Sequence, residues 1–261
     1  MRSLIAFPCA GETLVGTLDA AASTTGLLIV SGGNEIRCGA HRGMAVLAAR
    51  VAAAGHPVFR YDRRGIGDST GENHGFLSAG PDLFAAAAAF RAHAPGLEAV
   101  VGYGNCDAAS TLALHGRAAG VDRLLLANPW TVEDRDALPP RAAIRATYRQ
   151  RLTSPSAWRR LLTGRIDIAR AIQGLQKAAA PSPQDLGRRV VAAIDGWGTA
   201  VEVVLATGDA TAQAYAALAG RRDAVRIDTD SHSFARPDDR RALGDAVLAA
   251  LARSAGDERR G

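Results

Sequence analysis

Gly104-Asn105-Cys106-Asp107-Ala108 follows an apolar stretch, Glu98–Gly102, and leads into the apolar segment Ala109–Arg117. A strand, a sharp turn and a helix in that order lift the central residue of the turn above the end of a sheet, as a nucleophile elbow does. The backbone at such a turn is strained, and the residues two before and two after the centre come close together. Gly104 and Ala108 are small enough. At the start of a helix, Cys106 also meets the positive end of the dipole, which favours the reactive thiolate. Asp107 opposes this unless its side chain turns outward. An isolated G-x-C-x-A turn is more often a small buried cysteine than a catalyst, so chemistry here requires partners.

A cysteine nucleophile needs a base within hydrogen-bond reach, and the base needs an orienting group. The strand-like run Val201–Ala206 ends in Thr207-Gly208-Asp209, and Ala224–Ile227 ends in a loop that holds His232. Cys106, Asp209 and His232 then all stand at carboxyl ends of parallel strands, in the order nucleophile, acid, histidine. Asp228 and Asp230 are closer to His232 in sequence, but neighbours on one loop rarely have the geometry to orient it, so Asp209 is favoured. His41 falls near the rim of such a site and is a candidate substrate contact. His56, His74, His93 and His115 fall at a strand's wrong end, in a Gly-rich loop, or in helices. Acyl transfer also needs donors for an oxyanion. Asp107 N–H is one; Ser31-Gly32-Gly33-Asn34, after the third strand, supplies another, with Gly33 expected first and Asn34 second.

These residues need a scaffold that alternates strands and helices. Ser3–Phe7 and Thr13–Leu18 read as a hairpin. Gly26–Ser31, Pro57–Tyr61, Glu98–Gly102, Arg123–Ala127, Val201–Ala206 and Ala224–Ile227 read as further strands. His41–Ala54, Pro81–His93, Ala109–Arg117 and Asp238–Arg253 read as helices between and after them. The expectation is an α/β-hydrolase fold: about eight strands, mostly parallel, with helices on both faces. Trp130–Asp195 has helical stretches only, among them Pro183–Ile194. That predicts a core over 1–130 and 196–261 and a helical cap over 131–195. The charged tail Ala255–Gly261 is expected to fray.

Asp62-Arg63-Arg64-Gly65-Ile66-Gly67-Asp68-Ser69 resembles the D-x-R-G-x-G-x-S turn after the fourth strand of many α/β-hydrolases. More narrowly, several segments together resemble the type 1 exosortase A system-associated hydrolases. They are Val30-Ser31-Gly32-Gly33 with His41-Arg42, Gly104–Ser110, Leu152–Pro155 with Trp158–Leu162, Gly208–Ala212 and Ser231–Phe234. The resemblance implies a bacterial cytoplasmic protein encoded with exopolysaccharide and exosortase machinery. It also implies the triad Cys106, Asp209 and His232, and it implies no particular substrate.

Bulk properties narrow the classes. The 261 residues are 48% hydrophobic and 22% charged, ordinary for one globular domain. No apolar run spans a bilayer, and the N-terminal stretch is too short for a signal peptide, so a cytoplasmic location is expected. Cys9, Cys38 and Cys106 are odd in number and widely spaced, which suits neither a disulfide framework nor a metal site. No metal or cofactor is expected. The net charge of +5 is carried almost wholly by arginine, with Lys177 the single lysine. With 5% aromatic residues there is no basic stripe interleaved with aromatics, so nucleic acid is not an expected partner. Eight arginines fall between Arg141 and Arg170. They read first as a solvated face; Arg159 and Arg160 are candidate contacts for an anionic substrate such as acyl-CoA or an acyl carrier protein. The expected activity is hydrolysis of an ester or thioester through an acyl-enzyme. An acyltransferase acting on a polysaccharide precursor and a non-catalytic scaffold are the alternatives.

Overall fold

The computed structural model describes residues 1–132, 185–220 and 223–258. Eight strands form one sheet: β1 (Arg2–Cys9), β2 (Glu12–Asp19), β3 (Thr25–Val30), β4 (Val58–Tyr61), β5 (Ala99–Asn105), β6 (Arg123–Ala127), β7 (Val201–Ala206) and β8 (Val225–Ile227). Their spatial order is β1-β2-β4-β3-β5-β6-β7-β8. The β1–β2 hairpin and the β2–β4 pair are antiparallel, and every later pairing is parallel. All six residues of β3 are buried, as expected of a strand covered on both faces.

Six α-helices lie among the described residues: α1 (Gly43–Ala53), α2 (Gly80–His93), α3 (Asp107–His115), α4 (Asp185–Gly196), α5 (Ala210–Ala219) and α6 (Pro237–Glu258). α2, α3 and α4 supply Leu83, Phe90, Leu112, Val190 and Ile194 to a core on one face of the sheet. α1 and α6 supply Leu47, Val51, Val247 and Leu251 to a second core on the other. From β3 the chain runs to β4 on one side, and from β5 to β6 on the other. The crevice between the carboxyl ends of β3 and β5 is therefore a topological switch point, where open α/β sheets place their ligands.

The strands expected over Arg123–Ala127 and Val201–Ala206 have those bounds in the structure. α5 has no counterpart among the helices expected from sequence. α1 begins at Gly43, because His41 and Arg42 hold left-handed φ of 51° and 59° ahead of it. α6 continues to Glu258, into the charged tail that is expected to fray. The cap boundary also shifts. The expected cap includes α4, yet Leu186, Val190 and Ile194 are buried in the main core. The rest of that insertion, 133–184, lies outside the described residues.

Phe59 on β4 anchors the first core. Its ring lies against Gly16, 5.7 Å from the Phe7 ring and stacked at 5.6 Å on Phe90. Phe59→Ala should destabilise the fold by about 3–5 kcal/mol, read as a lower urea midpoint.

Candidate active site

β5 ends at Asn105 and α3 starts at Asp107, so Cys106 alone makes the turn. Its φ of 62° and ψ of −127° lie where side-chain-bearing residues are rare. Three backbone bonds hold it there. Cys106 N–H donates to Ala127 C=O at 3.0 Å, and its own C=O accepts from Trp130 N–H at 3.1 Å and Ala109 N–H at 3.2 Å. A Cβ on Gly104 would fall 2.7 Å from the carbonyl carbon of Ala108, so the small residue at −2 is a steric requirement.

His232 and Asp209 meet beside this turn. His232 Nδ1 bonds Asp209 Oδ1 at 2.9 Å, which leaves Nε2 for Cys106. The hydrogen bond to Asp209 and then the interaction with Cys106 outweigh burial and raise His232 to about 10. Burial alone would push Asp209 up, but its bonds to His232 and to the Ala212 and Thr211 N–H groups hold its carboxyl below the ordinary range. Asp209 is also the N-cap of α5, with Oδ2 accepting from Ala212 N–H at 3.0 Å. One carboxylate thus fixes a helix start and an imidazole. The acids nearer in sequence are engaged elsewhere: Asp230 with Arg236 at 2.6 Å, and Asp228 with Thr207 Oγ1 at 3.1 Å.

Two asparagines fasten the histidine loop to the elbow. Asn105 Nδ2 and Asn128 Nδ2 both donate to the His232 C=O, at 3.0 and 3.3 Å. Asn128 also donates to Asn105 Oδ1 at 3.1 Å and accepts from Ala206 N–H at 2.9 Å. Asn128 is fully buried with φ 42°. Sequence reasoning passes over both; an asparagine at the end of a buried strand is the available signal.

The loop Ser31–Asn34 departs from expectation. Gly32 O accepts from Glu35 N–H at 3.0 Å, closing a four-residue turn with Gly33 at φ 57°. Gly33 N–H, expected to face the oxyanion, donates instead to Asp107 Oδ1 at 2.7 Å. Asp107 has therefore turned inward and is 1% exposed, the arrangement in which its charge opposes a thiolate. Asn34 N–H has no acceptor among the described residues. Its side-chain Oδ1 accepts from Asn73 Nδ2 at 3.0 Å. His41 is exposed and makes no hydrogen bond to the triad among the described residues. Arg159 and Arg160 lie outside them. No cluster of three or more His, Cys, Asp or Glu among the described residues could hold a metal, and no helix there is long and apolar enough to cross a membrane.

No protein-family model matches the sequence, and no curated protein does. Solved structures do. The alpha/beta hydrolase GrgF from Penicillium sp. sh18 superposes with a TM-score of 0.62 at 17% identity, over 97% of this chain and 98% of that one. The Pyrococcus furiosus esterase Pf2001 gives 0.63 at 12% identity, over 97% and 91%. The thioesterase domain from the curacin biosynthetic pathway gives 0.54 at 13% identity, over 95% and 99%. At these identities the likeness is one of fold, and the fold is that of the α/β-hydrolases.

Removing the largest cause of the His232 shift tests the geometry. In Asp209→Asn the imidazole should titrate at least about one pH unit lower than in the wild type, by NMR. A histidine whose folded value lies above its usual ~6.5 stabilises the fold fully below that pH, and the contribution is lost as pH rises through about 10. The wild type should lose this advantage over Asp209→Asn between about pH 6.5 and 10.

Proposed function

We propose that the protein hydrolyses an ester or thioester through an acyl group carried on Cys106. The observation that carries this is the imidazole of His232, bonded to Asp209 and raised by its interaction with Cys106, which stands at a strained strand-to-helix turn. Fold alone does not choose a chemistry, because α/β-hydrolase folds host many. That an esterase and a thioesterase domain share this fold is support of a weaker kind.

The residues act as follows. With its proton on His232, Cys106 sulfur attacks the carbonyl carbon and the carbonyl π pair moves to oxygen. Backbone N–H groups at Asp107 and in the 31–34 loop receive the oxyanion. When the carbonyl re-forms, the bond to the leaving alkoxide or thiolate breaks, and His232 Nε2 returns the proton to that group. His232 then takes a proton from water as it attacks the acyl-enzyme, releasing the acid and Cys106. Asp209 keeps the ring oriented and stabilises the imidazolium.

The helical cap expected over 131–195 belongs to this proposal, as do Arg159 and Arg160 as contacts for an anionic acyl donor such as acyl-CoA or an acyl carrier protein. A cytoplasmic role beside exopolysaccharide and exosortase machinery belongs to the same proposal and rests on the motif resemblance.

A panel of p-nitrophenyl esters and acyl-CoA thioesters, with intact-protein mass spectrometry, tests it. Wild type should gain one acyl mass on Cys106, and Cys106→Ala should gain none and turn over at least about 10³-fold more slowly. Turnover by Cys106→Ala at the wild-type rate would refute the reading.

A further inference from the structure

Arg63 follows β4 and is 2% exposed, yet Nε and Nη1 have no hydrogen-bond partner and no carboxylate pairs with it among the described residues. A guanidinium taken out of water without a counter-ion is strongly destabilising. Its protein bond goes from Nη2 to the C=O of Gly33, in the loop Ser31–Asn34.

The sheet order fixes what that bond does. β4 lies on one side of β3 and β5 on the other. Gly33, just beyond β3, is gripped from both. Its N–H points to the β5 side, onto Asp107, and its C=O points to the β4 side, onto Arg63. The described chain has no cis peptide bonds. In a planar trans peptide, C=O and N–H point in opposite directions. The N–H of Asn34 belongs to the same peptide as the Gly33 C=O, so it points away from Arg63, to the β5 side. Asn34 N–H has no acceptor among the described residues, whereas Asp107 takes the Gly33 N–H.

We propose that Arg63 is a positioning residue of the oxyanion hole, acting through the Gly33–Asn34 peptide. This deepens the proposed acyl-enzyme reading and rests on it. A cation on the carbonyl draws electron density from the amide nitrogen, so the Asn34 N–H becomes a stronger donor, as in any chain of polarised hydrogen bonds. The same charge offsets the inward carboxylate of Asp107, which by itself opposes a developing oxyanion. The second donor of the hole is then Asn34 N–H, with Gly33 serving as the hinge that both side chains hold.

Acylation of Cys106 by p-nitrophenyl acetate passes through an oxyanion, whereas its alkylation by iodoacetamide does not. Both rates would be measured on the full chain for wild type, Arg63→Lys, Arg63→Gln and Arg63→Met, with thermal melting to confirm folding. Acylation should fall about 10- to 100-fold in Arg63→Met and Arg63→Gln, while alkylation stays within about twofold. Arg63→Lys, which keeps the charge, should recover most of the acylation rate. Equal losses of acylation and alkylation, or none in Arg63→Met and Arg63→Gln, would overturn the proposal. Should Arg63→Met fail to fold, the contrast between Lys and Gln decides. A wild type that alkylates but forms no acyl adduct would overturn the acyl-enzyme reading itself, and Arg63 with it.

Discussion

Everything at the carboxyl edge of the sheet depends on holding one residue, Cys106, in a backbone conformation it would not choose. A φ of 62° with ψ −127° costs an L residue about 1–3 kcal/mol, and it persists only when the surroundings over-determine it. They do. Both peptide groups of Cys106 are bonded, into the end of β6 and the loop beyond it and into α3. α3 is buried from Asp107 to Ala113, so the helix that begins at the strained residue is locked by packing. The strain aims the sulfur out of the sheet toward the loops after β7 and β8.

Those loops behave as one unit with the elbow. The His232 carbonyl is held by Asn105 from β5 and by Asn128 beyond β6, and Asn128 in turn binds the backbone of β7. Asp209 uses one oxygen to cap α5 and the other to hold His232. Gly208 permits the close approach of these two loops, since a Cβ there would stand 3.0 Å from the Asp230 Cα. Phe234, 1% exposed, anchors the far side of the histidine loop in the second core. The imidazole is therefore positioned through two asparagine side chains on its own backbone as well as by Asp209.

Much of this is legible in the residues alone. Buried parallel strands are continuous apolar runs, so β6 and β7 have sharp edges in the sequence, and the turn at Cys106 is marked by small residues on both sides. That Asp209 and His232 follow the ends of β7 and β8 is also read from the sequence. What escapes depends on contacts between distant segments. α5 hides because its start signal, Asp209, also reads as the acid of a triad, and the one carboxylate bonds both the helix and the histidine. The inward turn of Asp107 depends on a glycine amide 74 positions away. The buried pairing of Arg63 with the Gly33 carbonyl has no local signature at all. α4 reads as part of an insertion because nothing in Asp185–Gly196 says which layer its apolar face will meet.

In the proposed chemistry, His232 makes Cys106 a nucleophile. The most direct measurement is the second-order rate constant for alkylation of Cys106 by iodoacetamide at about pH 7, in wild type and in His232→Ala. Wild type is expected to react faster than a free cysteine thiol, and His232→Ala at least about tenfold more slowly than wild type. Equal rates in the two proteins would contradict the account.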